Sequence, residues 1–233
     1  MFFRHSDSIW ADHPTLAPGV LHAGGINADA DVGARVAHFN AMAQARLAAG
    51  PEGEFPEVQA WRRTFSSMGL KPTQYRCASE SLLRRFRKEH ALPSLHPLVD
   101  LCNAVSLAFA IPIAVFDLAK VQQQLEVRYA TGTENYLSFG GEIEHPEPGE
   151  VIFADAAEPA PNAHARRWTH RQSGLSAVSA ETREVLIVAE ALHASAVEDV
   201  GRLVGTLAQE LAGVWAAEPK VQLLSRAASR FDF

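Results

Sequence analysis

The chain has 233 residues, a net charge of −6 at pH 7, 47% apolar and 21% charged residues, enough for one buried core and too evenly mixed for a disordered or fibrous protein. The acidic balance excludes an all-over coat for nucleic acid. No segment reaches the roughly 20 apolar residues of a membrane span, and Met1-Phe2-Phe3 yields at once to Arg4-His5-Ser6-Asp7, unlike a secretory leader; no membrane contact and a cytoplasmic location are therefore expected.

In chain order, Val36, Phe39, Ala43 and Leu47 step by three or four and predict an amphipathic helix from Val32, ended by Gly50-Pro51. A second helix is expected from Pro56 to Met68, stopped at Gly69. Leu82, Leu83, Phe86 and His90 mark a third, with Ser79 as its N-cap. Pro97 suits a first helical position, and Leu98, Leu101, Val105 and Phe109 form that helix's buried stripe. Strand character begins at Ile113. Val115–Asp117, Leu125–Tyr129, Tyr136–Phe139 and Val151–Ala154 are short β-rich runs, and Gly140-Gly141 reads as a tight hairpin turn. The proline-rich stretch Glu144–Asn162 predicts the longest loop. Arg167–Arg171 alternates large and polar groups as a strand would, and Val185–Val188 predicts a buried central strand. Ser195 and Glu198 form a capping-box pattern before Val197, Val200, Val204, Leu207, Leu211 and Val214, the stripe of a closing helix. Helices, then strands, then a helix predict an α+β fold. The closing helix's alanine-rich surface permits a dimer without requiring one.

The usual catalytic constellations are missing. There is no Gly-x-Ser-x-Gly elbow, phosphate-binding glycine loop or His-Glu-x-x-His, and the ten histidines lack the spacing of a metal site, so neither metal nor organic cofactor is expected. Cys77 and Cys102 read as buried, reduced thiols. Ser79, Ser106 and Ser173 lack a partner that would orient a base. Between Trp61 and His90 lie Arg62, Arg63, Lys71, Arg76, Arg84, Arg85, Arg87 and Lys88 against only Glu80 and Glu89. That strip suits phosphate contact, and equally a solvated helix face. The remaining polar candidates are Asp100, Asn103, Asp117, Glu134, Asp155, Arg167, Arg171, Thr182 and Glu190. Carboxylates at element ends bind an ammonium group or position a water, arginines match phosphate or carboxylate, and the same residues serve equally as satisfied structural groups.

One long pattern is more specific. Leu95-His96-Pro97-Leu98-Val99-Asp100-Leu101-Cys102-Asn103, followed by Ile111-Pro112-Ile113-Ala114-Val115-Phe116-Asp117-Leu118, resembles the B three/four domain of the bacterial phenylalanyl-tRNA synthetase β subunit. Ser79–Arg85, Val127-Arg128 with Ala130 and Glu134, Ala154-Asp155, and Thr182 before Val185-Leu186-Ile187 follow in the order of that domain. The resemblance spans about Lys71 to Leu192 and implies helices around a mixed, mostly antiparallel sheet. It divides the chain into an N-terminal helical and strand part (1–70) packed on the same domain, a B three/four-like core (71–192), and a closing helix with tail (193–233).

The resemblance further implies a trans-editing module that binds the aminoacylated 3′ end of tRNA and hydrolyses a misplaced amino acid's ester. Asp100, Asn103, Asp117, Glu134, Thr182 and Glu190 would bind substrate, Arg76, Arg84, Arg167 and Arg171 would hold phosphate or ribose, and no catalytic residue is assigned. Two departures alter the expected pocket. The histidine of the family's Pro-x-His-Ala-Phe-Asp element is Ala114 here, and Glu190 stands two positions beyond the acidic residue that reads the amino acid. A non-catalytic module for tRNA ends, amino acids or nucleotides is the alternative, and hydrolysis of a small aminoacyl or amide metabolite a third reading.

Overall fold

The computed structural model describes Met1–Phe233. In chain order its elements are β1 (Phe2–His5), α1 (Asp7–Asp12), β2 (Ala17–Gly24), α2 (Gly33–Ala49), α3 (Pro56–Ser67), α4 (Ala78–Glu89), α5 (Pro97–Phe109), β3 (Ile113–Asp117) and β4 (Gln124–Tyr129). There follow β5 (Tyr136–Leu137), β6 (Ile143–Glu144), β7 (Val151–Ala154), β8 (Ala163–Arg166), β9 (Arg171–Gln172), β10 (Glu184–Ala191), α6 (Ala196–Trp215), β11 (Lys220–Leu223) and β12 (Arg230–Asp232). One sheet runs β12-β1-β4-β7-β8-β9, a second β11-β2-β10-β3, and β5-β6 is a small hairpin. The strand pairs are antiparallel except β1 with β4. The fold is α+β.

Strand β10 sets the layering, because successive side chains of a strand point to opposite faces. Val185, Ile187 and Ala189 face α5 and α6, meeting Leu101, Val105, Val200, Leu203 and Leu207. Leu186 and Val188 face the larger sheet and pack with Phe3, Leu125, Val127 and Phe153. The strand is therefore buried on both sides, which is why it reads as an unbroken apolar run. Glu190 falls on the Leu186–Val188 side, between the two sheets. Helix α6 comes so close to β2 that a Cβ on Gly19 would stand 2.5 Å from Val204 Cγ1 and 2.6 Å from Val200 Cγ1. Only glycine fits there.

Several expectations need correction. Arg167–Arg171 is not a strand: β8 ends at Arg166, and Arg167 and Trp168 both adopt left-handed backbone, φ 48° and 58°, which costs a non-glycine residue energy. Trp168 N–H donates to the Val151 carbonyl (2.7 Å) and Arg167 N–H to Glu150 Oε1 (3.0 Å), and these bonds hold the turn. Ser195 makes no capping box; its hydroxyl donates to Asp199 Oδ2 at 2.6 Å. Ser79 is not an N-cap but lies buried inside α4, whose cap is Cys77. The Glu144–Asn162 loop is interrupted by β7, and the Tyr136 strand stops at Leu137. Five of the eight cations in the basic strip are ion-paired, Arg62 and Arg76 with Glu80, Arg84 and Arg87 with Glu52, and Arg85 with Glu89, so three carboxylates are shared among them and the strip stays net positive. The sequence count had missed Glu52, which arrives from before α3.

Candidate functional site

The sheets part slightly where β3 begins, β10 ends and the turn between β8 and β9 crosses over them. The gap is a cavity of about 50 Å³, walled by Ile113, Ala114, Phe153, Ala165, Trp168 and Val188 and bearing Thr169, His170, Arg171 and Glu190. Glu190 is buried, a costly place for a carboxylate unless donors meet it. His5 Nε2 donates to its Oε1 at 2.6 Å and Trp168 Nε1 to the same oxygen at 3.0 Å. Both bonds fall on Oε1, leaving Oε2 without a protein partner. The left-handed turn explains this geometry, since it swings the Trp168 indole inward, edge-on to Trp61 at 5.1 Å and to His13 at 4.8 Å.

The turn delivers three more polar groups. His170 Nδ1 lies 2.8 Å from the Arg76 carbonyl; a carbonyl only accepts, so this nitrogen carries the proton and Nε2 keeps its lone pair. Burial pushes the His170 pKa below its ordinary value, against the Arg76 carbonyl and Glu150 and with help from Arg167 and Arg171. Thr169 Oγ1 is buried with no partner. Arg171 pairs with Glu144 at 3.1 Å and lies over the Tyr136 ring. An apolar pocket with a few convergent polar groups is the usual form of a small-ligand site.

Two larger clefts of about 490 Å³ each flank the start of α5. Asn103 and Pro97 line both, while Ile113 and Gln172 line both the second cleft and the inter-sheet cavity, so the three adjoin in a row, sharing walls along one furrow-like face. Phe139 (73% exposed) and Leu95 (69%) stand on its lip. His96 caps α5 by accepting the Leu98 N–H on Nδ1 at 3.2 Å, and its buried Nε2 has no partner.

A family model described as the B3/4 domain matches residues 60–212, about two thirds of the chain. The chain belongs to the B3/4 domain family. It is similar to the phenylalanine–tRNA ligase beta subunit of Haemophilus influenzae, 27% identical over 118 residues, which are 51% of this chain and 14% of that protein. The same subunit of Shewanella oneidensis is 30% identical over 119 residues, again 51% of this chain and 14% of the relative. This chain therefore spans a small part of the curated relatives it matches. Among solved structures, an N-terminal fragment of the phenylalanyl-tRNA synthetase beta subunit from Pyrococcus horikoshii aligns over 93% of this chain and 49% of its own, at 10% identity and TM-score 0.45.

Ala114 is the cross-strand partner of Val188, so two apolar side chains face each other on this wall of the cavity. Glu190, two residues on, keeps the same face about 7 Å further along the strand.

The other B3/4 candidates are dispersed. Asp117 accepts from Thr182 Oγ1 (2.8 Å) and Ala119 N–H (3.0 Å), bracing the two strand ends to each other. Buried Glu134 accepts from the Thr131 and Gly132 amides and from Arg128. Burial alone would raise its pKa, and these donors outweigh it, holding it at about 2. Asp100 accepts from Ser94 Oγ (2.6 Å) and Leu95 N–H (2.9 Å), fixing the furrow's rim. Arg76 and Arg84 are held by Glu80 and Glu52. Arg167 lies 4.8 Å over the Tyr75 ring with no carboxylate partner. Glu190 and Arg171 thus share the cavity, Asn103 and Asp100 lie further along the furrow, and the rest line none of the three spaces.

Ser176, His164 and Asp155 were not foreseen as a set. His164 Nδ1 is 2.8 Å from Ser176 Oγ and Nε2 is 3.2 Å from Asp155 Oδ2, a Ser–His–Asp chain with the two ring nitrogens exchanged relative to a serine-hydrolase triad. Ser176 is wholly buried and lines neither the cavity nor either cleft, so no substrate reaches its hydroxyl. Asp155 also accepts from Asn162, Ala157 and Gln122 and works as a structural hub. Both thiols are buried and free; burial pushes Cys77 up to about 11 and Cys102 up to about 12, unsuited to nucleophilic attack. No group of histidine, cysteine, aspartate or glutamate is arranged to hold a metal ion, and no helix is long and apolar enough to cross a membrane.

Proposed function

We propose that this B3/4 chain binds the aminoacylated 3′ end of tRNA in trans and hydrolyses the ester of a misplaced amino acid. The observation that carries the proposal is Glu190, a buried carboxylate with one oxygen tied to His5 and Trp168 and the other unpaired in a mostly apolar cavity. That oxygen suits the α-ammonium of an aminoacyl group, a charge-assisted bond stronger than a neutral one. The side chain would lie against Ala114 and Val188. With no histidine or carboxylate at those two positions, the pocket fits a small apolar side chain better than a tyrosyl hydroxyl, which would lose its hydrogen bonds there.

The furrow supports the rest of the ligand. Its length past Asn103 suits the terminal ribose and base, and the exposed Phe139 ring offers a stacking surface, the usual way unpaired bases are held. Arg167 and Arg171 lie near the cavity for phosphate or ribose. The reading is tested by release of labelled amino acid from a panel of charged tRNAs. One class of mischarged tRNA should be hydrolysed, and Glu190→Gln, which keeps an acceptor for Trp168, should lose about 10- to 150-fold, the value of a hydrogen bond to a charged group.

One feature favours a second reading, that of a binding module without hydrolysis: Arg171, the cation on the cavity wall, is already paired with Glu144. Under that reading every ester is stable and tRNA ends or free amino acids still bind. Phosphate-driven binding weakens steeply in salt and amino-acid binding does not.

A further inference from the structure

We propose that His170 is the general base of this site, removing a proton from the attacking water through Nε2. The inference rests on the ester-hydrolysis reading and supplies what the sequence lacks, a group to activate water.

Three features orient the ring. The Arg76 carbonyl fixes the proton on Nδ1, Tyr75 packs edge-on at 5.4 Å, and the Trp168 turn places His170 on the wall of the Glu190 cavity. Nε2 is left as an acceptor with no protein partner. Thr169 Oγ1, also without a partner, shares that wall and is free to donate to the same water or to the developing oxyanion. The charged and titratable groups around the ring are Tyr75 and Arg76 before α4, Arg167 and Arg171 in its own turn, Glu150 at the head of β7 and Glu190 on β10. With the pKa lowered by burial, the ring is neutral at pH 7, as a base must be.

The step balances without any other reagent. Water oxygen bonds to the ester carbonyl carbon as Nε2 takes one of its protons. The tetrahedral intermediate then expels the ribose oxygen, and the imidazolium returns the proton to it. The products are a free amino acid and a ribose hydroxyl.

The rival role for His170 is a pin, holding the turn to Arg76. Asparagine separates the two, since its Nδ2 occupies the place of Nδ1 and still donates to the carbonyl, with nothing at Nε2. Single-turnover hydrolysis of the best ester from the charged-tRNA panel should be followed from about pH 5 to pH 8 with the wild-type chain, His170→Asn and His170→Ala. Wild type should lose activity as pH falls through one inflection below about 6.5, the ordinary histidine value. His170→Asn should lose about 10²- to 10⁴-fold in kcat, bind the tRNA as before and lack that inflection, and added imidazole should raise the rate of His170→Ala. Full activity in His170→Asn, or the same acid limb in its residual rate, removes His170 as the base while leaving the hydrolysis reading intact. A wild-type chain that cleaves no ester removes both.

Discussion

Replacing Trp168 by phenylalanine tests whether the Glu190 carboxylate is held where the site requires it. The indole is wholly buried, and its Nε1 gives Glu190 Oε1 one of its two hydrogen bonds, at 3.0 Å. A hydrogen bond to a charged group is worth about 1.5–3 kcal/mol. The lost ring hydrocarbon adds about 1 kcal/mol, at ~0.8 kcal/mol per buried methylene, so Trp168→Phe should destabilise by about 2.5–4 kcal/mol. With a urea m-value of about 2 kcal/mol/M the midpoint should fall by about 1–2 M. The hydrocarbon part is separable from the bond by a double-mutant cycle with Glu190→Met, because packing loss recurs in both legs and the bond does not. The coupling should be about 1.5–3 kcal/mol. A coupling below about 0.5 kcal/mol, within the error of additive sites, would refute the claim that the indole anchors the carboxylate.

Further predictions concern packing, acid and the furrow. Gly19→Ala places a Cβ 2.5 Å from Val204 and should cost about 1–3 kcal/mol as overpacking does; Val204→Ala in the same chain should recover part of that in urea unfolding. Glu134 and Asp155 are both held at about 2 by hydrogen bonds that outweigh burial. A depressed carboxylate stabilises the fold above its unfolded value and loses that contribution as pH falls. The thermal unfolding midpoint should therefore fall from about pH 4.5 toward pH 2, with a shallower slope in Glu134→Gln/Asp155→Asn. Phe139→Ala should weaken binding of a CCA-ended oligonucleotide by about 1–3 kcal/mol if a base stacks there, read by fluorescence titration; unchanged affinity would move the base off this ring.

Much of the helical layer is legible in the sequence because each helix carries its own stripe and stop signal: Val36, Phe39 and Ala43 before Gly50, or Val200, Val204 and Leu207 in α6. Strands β3, β4, β7 and β10 are legible for a similar reason, as runs rich in β-branched and aromatic residues. β1 and β2 are not. Phe2–His5 is a strand because β4 and β12, far away in sequence, pair with it. Ala17–Gly24 contains proline and glycines that oppose strand formation, and it forms because β10 and β11 hydrogen-bond it on both sides.

Of the site, the sequence pointed to Glu190, Asn103 and Arg171 and to the altered position at Ala114. It could not reveal that Ala114 and Val188 face each other, which depends on the β3–β10 register. His170 and Thr169 escaped as individual site residues because a five-residue alternation looks like a strand, and their placement depends on two left-handed residues that no local pattern announces. The pairing inside the basic strip was hidden for the opposite reason: charges counted along the chain omit Glu52, and Glu80 meets two arginines at once.

The most direct measurement is hydrolysis of a panel of tRNAs charged with cognate and non-cognate amino acids, with wild type and Glu190→Gln side by side. The account predicts rapid release of one class, a small apolar amino acid from a mismatched tRNA, and a loss of about 10- to 150-fold in the variant. Equal stability of every ester with the wild-type chain, or equal rates with both proteins, would contradict it.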